Sequence, residues 1–229
     1  MLRTPAYVFV SHGSRDPRPA AAIAQLITDL TTDDRPLLGH AMLECAPEPL
    51  SEQLITLART AQTQGFSELR LVPLFLLPGV HVTEDIPLQV QAAQAKLGSF
   101  PLTQTAYLGT LDGLQGLLKP QHQHTLLLSH GSRKPGGNAL IERLAQALDL
   151  TPSFWSVEPK LETTIAQLVN QGATSIAIKP FFLTQGGITD AIAAEVARLA
   201  DIYPQVSLTL ENTLDRQPGF REIVLELFD

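Results

Sequence analysis

The chain has 229 residues, 44% of them hydrophobic, a formal charge of −7 and a single cysteine, Cys45. That length and apolar content can bury a full core or two small lobes, and the acidic balance excludes the basic face a nucleic-acid binder needs. One cysteine excludes an internal disulfide and a cysteine-based zinc cluster, so a metal site here must draw on histidine and carboxylate.

The first apolar run, Ala6–Val10, reads as a strand and ends in Ser11-His12-Gly13-Ser14-Arg15. An imidazole is thereby placed at the carboxyl end of a buried strand, where open α/β sheets hold their ligands. A helix follows with Ile23, Leu26, Ile27 and Leu30 on one face. Further strands are expected near Leu37–Leu43, Leu69–Leu76 and Pro101–Leu108, with helical spacing between them. Pro120 and the polar Gln121-His122-Gln123 suit a connector, which puts the junction near Lys119–Gln123.

The order then repeats. Leu126-Leu127-Leu128-Ser129-His130-Gly131-Ser132-Arg133 answers Val8–Arg15, and a helix with Leu140, Ile141, Leu144 and Leu148 on one face follows an Asn138 cap. Strands are expected near Phe154–Val157, Ile176–Leu183 and Val206–Glu211. Glu48-Pro49 matches Glu158-Pro159, Gln64-Gly65 matches Gln171-Gly172, Pro73–Leu76 matches Pro180–Leu183, and Thr110-Leu111-Asp112 matches Thr213-Leu214-Asp215. Matches this numerous in one order indicate an internal duplication. The expected architecture is α/β: two tandem lobes, 1–120 and 121–229, each a four-stranded parallel sheet flanked by helices, with a cleft between them.

The halves differ where chemistry would sit. After the third strand the first half reads Gly79-Val80-His81-Val82-Thr83-Glu84-Asp85 and the second Gly186-Gly187-Ile188-Thr189-Asp190, with no histidine. Glu44, at the end of the second strand, has no acidic counterpart at Phe154, Trp155 or Ser156. His12, His81 and Glu44 therefore form a constellation of ligands or proton acceptors that only the first half retains. Thr83, Glu84 and Asp85 read as the start of the next helix, since such residues before an amphipathic run are a cap signature. His40 lies within a strand and His122 and His124 flank the connector, so none is assigned chemistry. Trp155 suits either the core or a binding wall.

These features resemble the CbiX-type sirohydrochlorin chelatases of the class II chelatase superfamily, in their long form with two fused lobes. The resemblance covers nearly the whole chain, and its most specific pieces are Ser11–Pro17 and Pro73–Pro87. It implies ATP-independent insertion of Co²⁺ or Fe²⁺ into sirohydrochlorin, on the routes to cobalamin or sirohaem. It also implies that His12 and His81 are the metal-binding catalytic pair with Glu44 as acidic partner, and that no cofactor is needed beyond the metal substrate. Imidazole suits such a donor, because it binds Co²⁺ and Fe²⁺ without the hold of thiolate. Arg15, Ser14, Arg133 and Gly187 are candidate contacts to the carboxylate-rich macrocycle, although both arginines equally suit local salt bridges. His130 keeps the turn without its partner and suits either a structural or substrate contact or a metal contact from the opposite lobe.

Rival chemistries lack their signatures. A histidine phosphatase wants arginine where Ser11 stands, no Gly-x-Ser-x-Gly elbow occurs, and neither a P-loop nor a Gly-x-Gly-x-x-Gly turn is present. The alternative that survives is a metal or tetrapyrrole carrier without turnover. No apolar stretch reaches the roughly 18 residues that span a bilayer, and the first residues do not resemble a signal peptide, so a cytoplasmic protein is expected. The resemblance implies a monomer, because short chelatases of this type resemble one half and pair as homodimers, whereas this chain supplies both lobes itself.

Overall fold

The computed structural model describes residues 4–120 and 122–228, and the chain divides into two compact units. Met1–Leu111 with Arg221–Asp229 forms the first, and Asp112–Phe220 the second. Of the connector expected at Lys119–Gln123, Gln121 lies outside the described residues, and the stretch from Arg221 to Phe228 groups with the first unit. Phe228 explains the return: its ring packs edge-on against Tyr7 at 4.8 Å and Phe9 at 6.1 Å, the guanidinium of Arg35 lies over it, and Arg221 pairs with Asp29.

The first unit runs β1 (Ala6–Ser11), α1 (Pro17–Leu30), β2 (Leu37–Met42), α2 (Leu50–Thr63), β3 (Leu69–Pro73), a π-helical turn (His81–Asp85) leading into α3 (Ile86–Leu97), and β4 (Leu102–Gln104). The second runs α4 (Gly113–Leu117), β5 (Thr125–Ser129), α5 (Ala139–Ala147), β6 (Thr151–Phe154), α6 (Leu161–Asn170), β7 (Ser175–Pro180), α7 (Gly187–Ile202) and β8 (Ser207–Leu210), after which α8 (Phe220–Leu225) and a 3₁₀ turn (Glu226–Phe228) return to the first unit. Both sheets are fully parallel, ordered β2-β1-β3-β4 and β6-β5-β7-β8. Because β1 and β5 each lie between the two strands that follow them, the order reverses at these strands, and their carboxyl ends are the ligand-binding switch points of such sheets.

Burial explains the strand choice. β1 and β5 are buried at every position, as a central parallel strand covered on both faces must be. In the first unit Val8, Val10, Leu54, Ile55, Leu69, Leu71 and Ile86 share one core, and Leu126, Leu128, Ile165, Ile176, Ile178, Ile192 and Val196 share its counterpart in the second. Trp155 packs against that second core. Among the described residues no helix is long and apolar enough to cross a membrane.

Three expectations need correction. β6 covers Thr151–Phe154 rather than Phe154–Val157. Its Pro152 masks the strand pattern and is tolerated because β6 is an edge strand, where a missing N–H costs no ladder bond. Asn138 stands at the start of α5 but caps nothing there; its side chain accepts from Ser132 N at 2.8 Å and donates to Ser132 O at 3.2 Å, closing the preceding loop instead. Thr110 ends a 3₁₀ turn (Leu108–Thr110), whereas Thr213 precedes one (Leu214–Arg216), so that proposed repeat match is out of register.

The end of β1 rests on two devices. Gly13 has φ +93°, and a Cβ placed there would lie 1.9 Å from Glu44 O. Beneath it, Ser11 Oγ meets His40 Nε2 at 2.7 Å across β1 and β2, and burial pushes the His40 imidazole below its ordinary pKa of 6.5. Gly13→Ala is therefore expected to cost about 3 kcal/mol or more, from left-handed strain plus backbone overlap. Gly65→Ala, at φ +82° with nothing within 4 Å, is expected to cost only about 1 kcal/mol; urea unfolding of both variants compares them. His40 stays neutral in the folded chain where the unfolded chain binds a proton, so it subtracts stability as pH falls below 6.5 and is silent above it. His40→Gln is expected to flatten that acid-side loss, as measured by urea midpoints from pH 7.5 to pH 5.

Candidate metal centre

Three loops at the carboxyl ends of β1, β2 and β3 bring His12, Glu44 and His81 together, with one ligand atom from each lying within 4.8 Å of the other two. The parallel ladder continues past the strands to do this. Leu43 N donates to Ser11 O at 2.9 Å and Glu44 N to His12 O at 2.8 Å, so Glu44 is locked beside His12 by backbone, not by side chains. From α2, the Gln53 side chain accepts from Met42 N and donates to Met42 O and Glu48 O, which fixes both ends of the Glu44 loop. Sequence patterning gives no signal for this clamp, since a glutamine on a helix face is ordinarily solvated.

Each imidazole has one nitrogen spoken for. His12 Nδ1 donates to Gly13 O at 3.2 Å, leaving Nε2 at 3.8 Å from Glu44 Oε2. His81 Nδ1 lies 2.7 Å from Asp85 Oδ2 across one turn of the π-helical segment. Asp85 was expected to cap the following helix, yet it makes no cap bond, and its carboxylate turns to His81 instead. The signal that could have found it is the spacing of four residues between histidine and aspartate on a helical segment. The two rings sit edge to face, with centroids 4.8 Å apart.

The centre is open to water. The side chains of His12 and Glu44 remain 53% and 52% exposed and that of His81 30%. Two imidazoles and one carboxylate, with no thiolate, suit a borderline divalent ion held by three protein donors with further coordination positions free. The wedge is one face of a coordination sphere rather than a closed cage.

The second unit repeats the frame without the ligands. Trp155 N donates to Ser129 O and Ser156 N to His130 O, at 2.9 Å each, which puts Ser156 in the place of Glu44. His130 repeats the His12 arrangement, with Nδ1 3.0 Å from Gly131 O and the ring exposed, and Ser156 Oγ donates to His130 O at 2.8 Å. The start of α7 supplies Ile188 where the first unit has His81.

The remaining candidates lie on the surface. Arg15 and Arg133 are exposed and make no ion pair among the described residues. Ser14 Oγ accepts from Asp16 N at 3.0 Å and so builds its own turn, while Asp16 caps α1 through Arg18 N. Gly187 is exposed at the start of α7, and a Cβ there would meet nothing within 4 Å.

Comparison with known proteins finds the same family twice along the chain. The CbiX family model matches residues 6–125 and again residues 124–229. A sirohydrochlorin cobaltochelatase of Priestia megaterium is 22% identical over 235 residues, which cover 93% of this chain and 73% of that protein. Among solved structures, SirB from Bacillus subtilis with Fe³⁺ superposes with a TM-score of 0.76 at 19% identity, covering 98% of this chain and 94% of that one. The sirohydrochlorin chelatase SirB of Bacillus subtilis subspecies spizizenii in complex with cobalt gives 0.73 at 18% identity, covering 98% and 93%. With one repeat of the family matched in each half, this chain belongs to the CbiX family.

Proposed function

We propose that the chain is a sirohydrochlorin chelatase, inserting Co²⁺ or Fe²⁺ into the macrocycle at the His12–Glu44–His81 centre. The observation that carries this reading is the convergence of those three ligand atoms within 4.8 Å at a switch point of the first sheet. Membership of the CbiX family and the names of its relatives support the substrate.

Metal insertion exchanges two pyrrole protons for one divalent ion, so the site must deliver the ion and receive protons. Nitrogen and oxygen donors hold a borderline ion without the affinity of a thiolate cage, and a wedge of three leaves positions for macrocycle nitrogens to replace water. As the ion moves to the macrocycle, His12, His81 and Glu44 lose their cation and become free bases beside the pyrrole N–H groups, where they can accept the released protons. The ligands of the ion and the acceptors of the protons are then the same groups used in succession.

The macrocycle brings a ring of carboxylates to a protein of net charge −7, so local cations must offset the mismatch. Arg15 is an exposed cation three residues after His12, and we assign it to substrate carboxylates together with Ser14; Arg133 takes the same assignment, and Gly187, with no side chain, is assigned to close approach of the macrocycle to the backbone. The ion and the macrocycle are the partners of this reading, with no resident cofactor and a monomeric chain.

Purified protein given sirohydrochlorin and Co²⁺ or Fe²⁺ under anaerobic conditions, without nucleotide, is expected to produce the metallated absorption spectrum over many turnovers. A rate no faster than the protein-free control would overturn the reading, and one stoichiometric binding event without turnover would make the chain a carrier. His12→Ala and His81→Ala are expected to lower turnover by about 100-fold or more and Glu44→Gln by about 10-fold or more, with His130→Ala well below 10-fold. Equal losses in all three histidine variants would show that both units contribute alike.

A further inference from the structure

The π-helical turn that carries His81 is a one-residue insertion, and the second unit shows the frame without it. Leu74 N donates to Val10 O as Phe181 N does to Leu128 O, so Leu74 and Phe181 are equivalent. Beyond the loops, Ile86, Val90 and Ala93 face the first core with the spacing that Ile192, Val196 and Leu199 show toward the second. Twelve residue steps separate Leu74 from Ile86 and eleven separate Phe181 from Ile192. The extra residue is absorbed where Ile86 N bonds back to His81 O, five residues away, in place of the ordinary four.

In the register of the following helix, Asp85 stands where the second unit has Ala191, so the second unit lacks the histidine and the aspartate together. That joint absence, with the 2.7 Å contact between His81 Nδ1 and Asp85 Oδ2, points to one working pair. We propose that Asp85 is a positioning residue for His81: its carboxylate holds the proton on Nδ1 and the ring in one orientation, so that Nε2 keeps the lone pair for the metal. An ionised carboxylate only accepts, so the short contact requires the Nδ1–H tautomer. A metal-bound histidine gains donor strength and orientation from such a partner. The residue acts through His81 and touches neither ion nor macrocycle.

The role of Nε2 as metal ligand rests on the function proposed above, whereas the tautomer does not, and the two are separately measurable. Long-range ¹H–¹⁵N correlation spectra of the metal-free protein at pH 8 are expected to show His81 in the single Nδ1–H form. In Asp85→Ala the ring should populate both tautomers, and in Asp85→Asn, which keeps an acceptor oxygen, Nδ1–H should persist. Co²⁺ titration is expected to show affinity about 10- to 100-fold weaker in Asp85→Ala and an intermediate loss in Asp85→Asn, while the metal-free melting temperature changes little. Should Asp85→Ala fail to fold, the wild-type tautomer and the Asp85→Asn affinity decide the matter. A wild-type His81 in the Nε2–H form, or Asp85 variants that keep full Co²⁺ affinity, would overturn the proposal. Wild type that shows the Nδ1–H form but no Co²⁺ binding would remove the chelatase reading and leave the tautomer assignment standing.

Discussion

The backbone hydrogen bond from Glu44 N to His12 O is the constraint from which the centre follows. It extends the β1–β2 ladder past the end of both strands and brings a carboxylate beside an imidazole without asking either side chain to find the other. It forms only because residue 13 lacks a Cβ, which would otherwise lie 1.9 Å from Glu44 O. Side-chain contacts alone would leave an exposed histidine and glutamate free to explore many rotamers, an entropy cost of up to about 2 kcal/mol per long side chain. Here the sheet has already fixed both Cα positions, so binding an ion needs only to settle the terminal torsions.

Duplication makes the separate contributions visible. The second unit keeps the strand order, the glycine turn and even the imidazole that points as His12 does, yet two local changes separate it from a metal centre. Serine replaces the glutamate beside that imidazole, and a loop shorter by one residue removes the π-helical turn. Neither change disturbs the core, since Ile192, Val196 and Leu199 still seal it. The two sheets also differ in their interiors: Lys179 takes the position of Val72 on the third strand and is buried against Glu211 at 2.5 Å. A buried pair of this kind offers little net stability over an apolar residue, so it does not reinforce the second sheet relative to the first.

The sequence made most of the sheet strands, the repeat and the three side chains that converge at the end of the first sheet legible because each is written in short-range pattern. Apolar runs ending in Ser-His-Gly occur twice, and the comparison of halves isolates Glu44 and His81 by what the second lacks. Pro152 hid an edge strand, since proline counts against a strand unless its edge position is known. Asp85 and Asn138 carried cap signatures, but other local partners took their side chains: the imidazole of His81 one turn back for the first and the backbone of Ser132 for the second. The return of Phe228 to the first unit has no local pattern at all, because a half-buried aromatic near a chain end matches many surfaces.

Openness is the property that joins this geometry to its proposed chemistry. A structural metal site gains from full coordination and burial, because each added donor slows release. A site whose task is to give the ion away must stop short of that, with enough donors to recruit it and enough vacancy for a competing set of nitrogens to take over. Two imidazoles and a carboxylate, about half exposed at His12 and Glu44, meet that condition. Fixing their backbones raises affinity without adding a donor, and orienting His81 through Asp85 raises it without closing the face. In the proposed chemistry, preorganisation therefore raises affinity for the ion without completing its coordination sphere.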